Sequence, residues 1–241
     1  MMYQVLLNMN KSFEYSGRDN LDVMSLAKNY NDCIYKWLSI GVMKRNSVLD
    51  FGSGQGEFYN RFKVICDHAI ALEPDSSMHG YYNNDHIYES LTEFNKKFNL
   101  IYSVNVFEHI PDDKLIVNQL KLYLQDDTSI IKVFVPARQE LYSAMDKKVG
   151  HYRRYSKRQL QELFSKNGYK VKSCRYFDFL GYFAAFAYKY INKQGNIDPK
   201  GLAFYDKYIF PISLFFDKFF SRFIGKNLLI EASLIVENKN E

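Results

Sequence analysis

Three glycines, two carboxylates and one loop rich in histidine and arginine hold most of the chemistry in this sequence. Asn46 to Phe58 reads NSVLDFGSGQGEF. Gly52, Gly54 and Gly56 alternate with Ser53 and Gln55. Glycine takes positive φ without a Cβ penalty and lets a ligand come close to the main chain. The stretch predicts a short buried strand from Ser47 to Phe51, a tight turn, and the start of a helix. Such turns are where α/β folds bind nucleotide-like ligands. Glu57 stands where a dinucleotide-binding G-x-G-x-x-G would need its third glycine. Asp50 lies two residues before the first glycine. That carboxylate would repel a pyrophosphate and attract an ammonium or a sulfonium. Glu73 follows Asp50 by 23 residues, just past the apolar run Ala69-Ile70-Ala71-Leu72. An acid about 20 residues on, at the tip of the second strand, can accept both hydroxyls of a ribose. A solvated strand-end glutamate is the plainer reading of the same residue.

The second constellation runs from Asp146 to Ser156, DKKVGHYRRYS. It places His151, Tyr152, Arg153 and Arg154 directly after a glycine. Arginine grips phosphate or carboxylate with two parallel hydrogen bonds. With Lys147, Lys148, Lys157 and Arg158 close in sequence, the loop suits an anionic ligand or lipid headgroup. A solvated basic loop with an arginine ion-paired inside the domain would look the same in sequence.

These residues need elements to hold them. From Leu21 the pattern becomes helical, with Ala27, Tyr30, Ile34, Trp37 and Leu38 on one face. Phe58, Phe62 and Ile65 mark the helix after the glycine turn. Ile87-Tyr88, Phe98 to Val104 and Ser129 to Val135 read as further strands. Asp112 is placed to cap a helix with the stripe Ile116, Leu120, Tyr123 and Leu124. Ser156 and Gln159 form a capping box, and Gly168 ends that helix before a strand from Tyr169 to about Tyr176. Leu228 to Val236 reads as the last strand. Strand-helix alternation of this kind predicts an α/β, doubly wound, mostly parallel sheet with its ligand crevice at the carboxyl ends of the strands. Asp50, Glu73, Asn105, His109 and Ala137 all map to that edge.

The glycine turn with Asp50 resembles motif I of class I S-adenosylmethionine-dependent methyltransferases. The resemblance implies that family's Rossmann-like fold, a seven-stranded sheet with an antiparallel edge hairpin. It implies S-adenosylmethionine as cofactor and S-adenosylhomocysteine as product. Asp50, Gly52, Gly54, Gly56 and Glu73 with its neighbour Pro74 would then bind the cofactor. Ser90 and Leu91 would cradle adenine, although the acid often found in that loop is missing here. Asn105 and Val106 open N-V-F-E-H-I-P, which is similar to the post-strand motif of many small-molecule methyltransferases. Residues 1–45 would be an N-terminal helical lid, with Tyr30 near the acceptor. The D-x-x-x-G-H-Y-R-R-Y-S loop resembles that of a bacterial subgroup tied to glycan or glycolipid biosynthesis, with Asp146, Tyr152, Arg153 and Arg154 on the acceptor. A hydroxyl acceptor needs a base for its proton. His151 is the first candidate and His109 the second, with a structural role for His109 as the alternative. No clear metal triad is legible, so metal dependence is not expected, with Glu108 beside His109 as the one pair that keeps it open.

Composition bounds the rest. The chain has 241 residues, 47% of them hydrophobic and 24% charged, which is enough for a sizeable core and too apolar for disorder. We expect a single methyltransferase domain over residues 1–241. The net charge of +5 permits an anionic substrate without requiring nucleic acid. An RNA or protein methyltransferase stays open, against which stands the lack of an N-P-P-Y-type motif. A non-catalytic module of the same fold would have lost the motif I residues that are kept here. Cys33, Cys66 and Cys174 show no paired spacing and read as reduced thiols. No leader pattern is evident, so a cytoplasmic location is expected, with peripheral contact at the membrane face left open. Residues 177–227 interrupt the last two strands with two aromatic-rich amphipathic helices. Their stripes must cover the core, a partner, a membrane surface or a greasy substrate.

Overall fold

The computed structural model describes residue 15 and residues 17–82 and 86–235. The expectation that residues 1 to about 20 wrap the domain falls mostly outside them. Seven strands form one sheet: β1 (Ser47–Phe51), β2 (His68–Leu72), β3 (Ile87–Tyr88), β4 (Leu100–Val104), β5 (Ile130–Pro136), β6 (Tyr169–Phe177) and β7 (Asn227–Leu234). Their order is β3-β2-β1-β4-β5-β7-β6. The first five are parallel, and β7 runs antiparallel to both β5 and β6. The order reverses between β1 and β4, which makes the crevice beyond their carboxyl ends the switch point for a ligand.

Alternate residues of each strand point to opposite faces. Leu49, Phe51, Ile70, Leu72, Ile101, Ile131, Val133 and Val135 build one core with α4 (Asp113–Leu120) and α6 (Lys157–Ser165). Val48, Ala69, Ala71, Leu100, Tyr102 and Phe134 build the other with α2 (Lys28–Ser39) and α3 (Tyr59–Ile65). Both strand faces are covered, which is why these strands read as continuous apolar runs. The caps fall where the residues predict them. The Asp112 side chain accepts from Leu115 N at 3.0 Å, and Ser156 and Gln159 form their capping box.

Lys132 is an inward-pointing cation on β5, 1% exposed. Its ammonium donates to the carbonyls of Trp37, Leu38 and Ile40 at 2.9–3.0 Å. It thus closes the C-terminal end of α2, where a positive charge suits the helix dipole.

Residues 178–226 leave the sheet at Asp178 and return at β7. The sequence reading placed two helices here with a polar link over Asn192 to Lys200. The structure has α7 (Phe179–Ile191), then α8 (Pro199–Phe204), a five-residue π turn (Tyr205–Ile209) and α9 (Phe210–Phe220). The second helical run therefore starts earlier than expected. Asp198 caps it, accepting from Gly201 N at 2.9 Å, and Pro199 fits its first turn. The π turn falls just before Pro211, which has no N–H to continue the ladder. Buried Asp206 accepts from Asn29 N and Tyr30 N at 3.0 and 2.9 Å, so the insertion caps the start of α2. Fully buried Phe210 packs on Tyr30 and Phe177. The other side of the insertion is bare: Phe183, Tyr190, Phe204, Tyr208, Phe215, Phe219 and Phe223 are each more than half exposed. None of the described helices is long and apolar enough to cross a membrane.

Candidate functional site

One cavity of about 850 Å³ opens along the carboxyl ends of β1 and β4. That is room for a cofactor and an acceptor together. Its floor is the turn after β1. Gly52, Gly54 and Gly56 have φ of 78°, 54° and 77°. At Gly52 a Cβ would also collide with the Val106 side chain, so both backbone and space demand glycine there. Asp50 lies at the floor, 3% exposed, and its Oδ2 has no hydrogen-bond partner among the described residues. Burial pushes its carboxyl up to about 8. A buried carboxylate with one oxygen left unpartnered at a cavity is built for a cation.

Glu73 is 5% exposed and ties the turn together. One carboxylate oxygen accepts from Gly54 N at 2.7 Å and the other from Asp75 N at 2.9 Å. Burial outweighs these bonds and raises its carboxyl to about 7. Each oxygen keeps a lone pair for a diol. Tyr82 donates to Gly54 O and meets Ser53 Oγ, both at 2.6 Å. Arg18 of α1 (Arg18–Met24) binds the Asp75 carboxylate at 3.0 Å, drawing the N-terminal helix over the cavity. Leu21, Asp22, Met24, Tyr30 and Ile34 line its near wall. Sequence reasoning missed Ser53, Tyr82, Arg18 and Tyr15, which lines the cavity, donates its N–H to Asp75 at 2.9 Å and packs edge-on to His109. Only the short spacing of Ser53 within the turn offered a signal.

Asn105 follows β4 at φ 54°, held by its N–H to Phe134 O at 2.8 Å. Asn105 and Val106 line the cavity beside the glycine turn. Pro74, Ser90 and Leu91 do not line it. Ser90 turns its hydroxyl to cap a short 3-10 turn, accepting from Thr92 N at 3.1 Å, and Leu91 is buried in the core.

The loop around α5 (Ala144–Lys148) meets the segment after β4 at the far end of the cavity. Tyr152 N donates to Glu108 O at 2.8 Å and locks the two together. Asp146 is fully buried. It accepts from Ser143 N at 2.8 Å, from Arg154 Nε at 2.8 Å and from His151 Nδ1 at 2.7 Å. Burial would raise this carboxyl, but His151 and Arg154 beside it hold it down at about 2. The Asp146 contact puts the His151 proton on Nδ1 and leaves Nε2 as the free lone pair. His109 packs edge-on to His151 at 4.5 Å between ring centres, and burial lowers its imidazole to about 3, so it is neutral. Glu108 is fully buried 3.8 Å from His151 Nε2, its carboxyl raised to about 8 by burial.

His109, His151 and Arg154 line the cavity, while Asp146, Tyr152 and Arg153 do not. This differs from the expectation that Asp146, Tyr152 and both arginines face the acceptor. Asp146 points inward as the anchor of the loop. Arg153 is drawn away by Asp113 at 2.8 Å and Pro111 O at 2.7 Å. Tyr152 turns outward, 55% exposed. Tyr30 reaches the cavity wall, and its hydroxyl donates to Asn227 at 2.9 Å. From the insertion, Gly181, Ala184, Tyr188 and Lys189 complete the cavity wall, and Lys226 lines it with its ammonium over the Tyr30 ring.

Comparison with known proteins agrees with this geometry. The family model described as "Methyltransferase domain" matches residues 25–173. No curated protein sequence matches the chain. Among solved structures, the fold is similar to one from a complex of the Haloferax volcanii Trm112 methyltransferase activator with a methyltransferase. There the TM-score is 0.62 at 12% identity, covering 93% of this chain and 96% of that one. It is similar to an S-adenosylmethionine-dependent methyltransferase of Thermotoga maritima, with TM-score 0.59, 12% identity and coverage of 97% and 99%. It is also similar to magnesium protoporphyrin IX methyltransferase of Synechocystis PCC 6803, solved with S-adenosylhomocysteine, with TM-score 0.53, 12% identity and coverage of 94% and 90%. The orphaned Asp50 oxygen, the Gly52 position closed to a Cβ and the diol-ready Glu73 fit a sulfonium nucleoside. The chain belongs to the methyltransferase domain family and is an S-adenosylmethionine-dependent methyltransferase.

Proposed function

We propose that the protein methylates an oxygen of a small-molecule, sugar or glycolipid-type acceptor that carries an anionic or lipid-linked part. The observation that carries this reading is the polarity of the long cavity. Its cofactor end is acidic, with Asp50 and Glu73. Its acceptor end holds Lys189 with two imidazoles, and Arg154 and Lys226 line it while paired to Asp146 and Asp178. Cations at that end favour an anionic acceptor.

Bound S-adenosylmethionine supplies an electrophilic methyl group and leaves as S-adenosylhomocysteine. Asp50 would hold the cofactor's positive charge, Glu73 its ribose, and the backbone of Gly52 to Gly56 would let it lie close. Asn105 and Val106 form the wall between the cofactor and acceptor ends. Positioning of this kind accounts for much of the rate in a displacement reaction. The acceptor hydroxyl must also lose a proton, and the His151–His109 end of the cavity is where this chain can remove it. Asp146 fixes the ring of His151, and burial keeps His109 neutral.

The surface of the insertion supports a lipid-linked acceptor. Its exposed aromatics lie among exposed Lys193, Lys200, Lys207, Lys218 and Arg222. Its acids are spent on helix starts: Asp206 on α2, Asp217 on the backbone of Asp178 and Phe179, Asp198 on α8. Aromatic side chains with an excess of outward cations suit the face of an anionic membrane. The test is a methyl-transfer assay with methyl-labelled cofactor on nucleotide sugars, lipid-linked sugars, RNA and protein. Label at an oxygen of a sugar-type acceptor supports the proposal. Label in RNA or protein alone overturns it.

A further inference from the structure

We propose that Glu108, His109 and His151 bind a first-row divalent transition ion in a site open to the cavity. One ligand atom from each residue lies within 4.8 Å of the others. Glu108 is fully buried, and neither of its carboxylate oxygens has a donor from another described residue. The protein has desolvated this carboxylate and left it no hydrogen-bond donor beyond its own backbone N–H. What it faces is imidazole: Glu108 Oε1 is 3.8 Å from His151 Nε2. That is too long for a hydrogen bond. It is the separation of two atoms that share an ion, since ligands 2.0–2.2 Å from one metal stand roughly 3.3–4.4 Å apart.

His151 is prepared as a metal ligand should be. Its Nδ1 is bound to Asp146 at 2.7 Å, so Nε2 presents its lone pair in a fixed direction. Asp146 is itself anchored by Ser143 N and Arg154 Nε. A carboxylate behind a ligating histidine, itself hydrogen-bonded, is the usual support of such sites. The Tyr152 N to Glu108 O bond ties the two ligand-bearing segments in one register. Two imidazoles and one carboxylate favour zinc, iron, cobalt or manganese over magnesium or calcium. Because His109 and His151 line the cavity, the fourth position faces the acceptor.

The role of the ion rests on the oxygen-methylation reading above. An acceptor hydroxyl binds at the open position, its O–H bond breaks, the electron pair stays on oxygen, and the proton leaves to solvent. The ion lowers the pKa of the bound hydroxyl, as it does for bound water. The imidazoles then hold the metal and do not carry the proton themselves.

The test uses the full chain, stripped with a chelator and titrated with cobalt(II) and with zinc(II). Cobalt d–d absorption and bound-metal analysis read the site directly, and calorimetry with S-adenosylhomocysteine checks the fold. One cobalt per chain is expected. Glu108→Gln, close to isosteric, abolishes cobalt binding while keeping affinity for S-adenosylhomocysteine, and Asp146→Asn weakens cobalt binding about 10–100-fold. Negligible cobalt and zinc uptake by the wild-type chain overturns the site, as does unchanged uptake by Glu108→Gln. Cobalt binding without an oxygen-methylated product would overturn the acceptor reading and leave the metal site standing.

Discussion

Asp50 and Glu73 set the pH behaviour of the cofactor end. Burial raises them to about 8 and about 7. The unfolded chain releases both protons near pH 4, while the folded, empty protein keeps them far longer. Stability from these two groups is therefore complete below about pH 4 and is lost as pH rises through 7 and 8. The cofactor needs the ionised carboxylates. Affinity for S-adenosylhomocysteine should thus rise at least about tenfold from pH 6 to pH 8.5, since one pKa unit corresponds to about 1.4 kcal/mol. Calorimetry in two buffers of different ionisation enthalpy should show net proton release on binding at pH 7. A flat affinity across that range would contradict the shifted carboxylates. Gly52→Ala is the steric counterpart. Its Cβ meets Val106 at positive φ, so it should remove measurable binding of S-adenosylhomocysteine while a thermal melt still shows a cooperative fold. Both residues are legible in sequence because a strand, a tight turn and a helix are local and their spacing fixes them. The Glu108–His109–His151 cluster is less so. Its members sit in two segments about forty residues apart, joined only by tertiary contacts, and a buried carboxylate without a donor leaves no mark in the sequence.

At the scale of elements, Asp178 and Lys132 hold the frame of the site. Asp178 has φ 65° and is fully buried. Its carboxylate takes Gly181 N at 3.0 Å, Ser213 Oγ at 2.8 Å and the Tyr205 hydroxyl, and pairs with Lys226 at 3.2 Å. One residue thus caps α7, receives α9 and binds the return to β7. Asp178→Ala should lower stability by about 3–5 kcal/mol, as removal of one partner from a buried charged network does, and denaturant unfolding measures it. Lys132→Met should cost about 1–3 kcal/mol by leaving the carbonyls at the end of α2 without donors. The strands and capped helices follow from period and cap residues, and the structure matches them within a few residues. The insertion does not follow as simply. The capping of α2 by Asp206 arises from a contact across 176 residues, beyond any local pattern.

For the whole molecule, one edge of the sheet collects everything. Helix α1, the glycine turn, the loop after β4 and the insertion line one cavity, and the aromatic surface lies on the insertion at its far end. Vesicle sedimentation should show binding to membranes rich in phosphatidylglycerol that weakens with salt, and Phe215→Asp with Phe219→Asp should abolish it. Equal binding by the double variant would remove the membrane from the account. The measurement closest to the centre is calorimetry of S-adenosylhomocysteine with the wild-type chain, Asp50→Asn and Glu73→Gln at pH 8. The account predicts one site per chain and a loss of about 10–100-fold in each variant, since a hydrogen bond to a charged group is worth about 1.5–3 kcal/mol. Equal affinity in all three, or no binding by the wild-type chain, would contradict it.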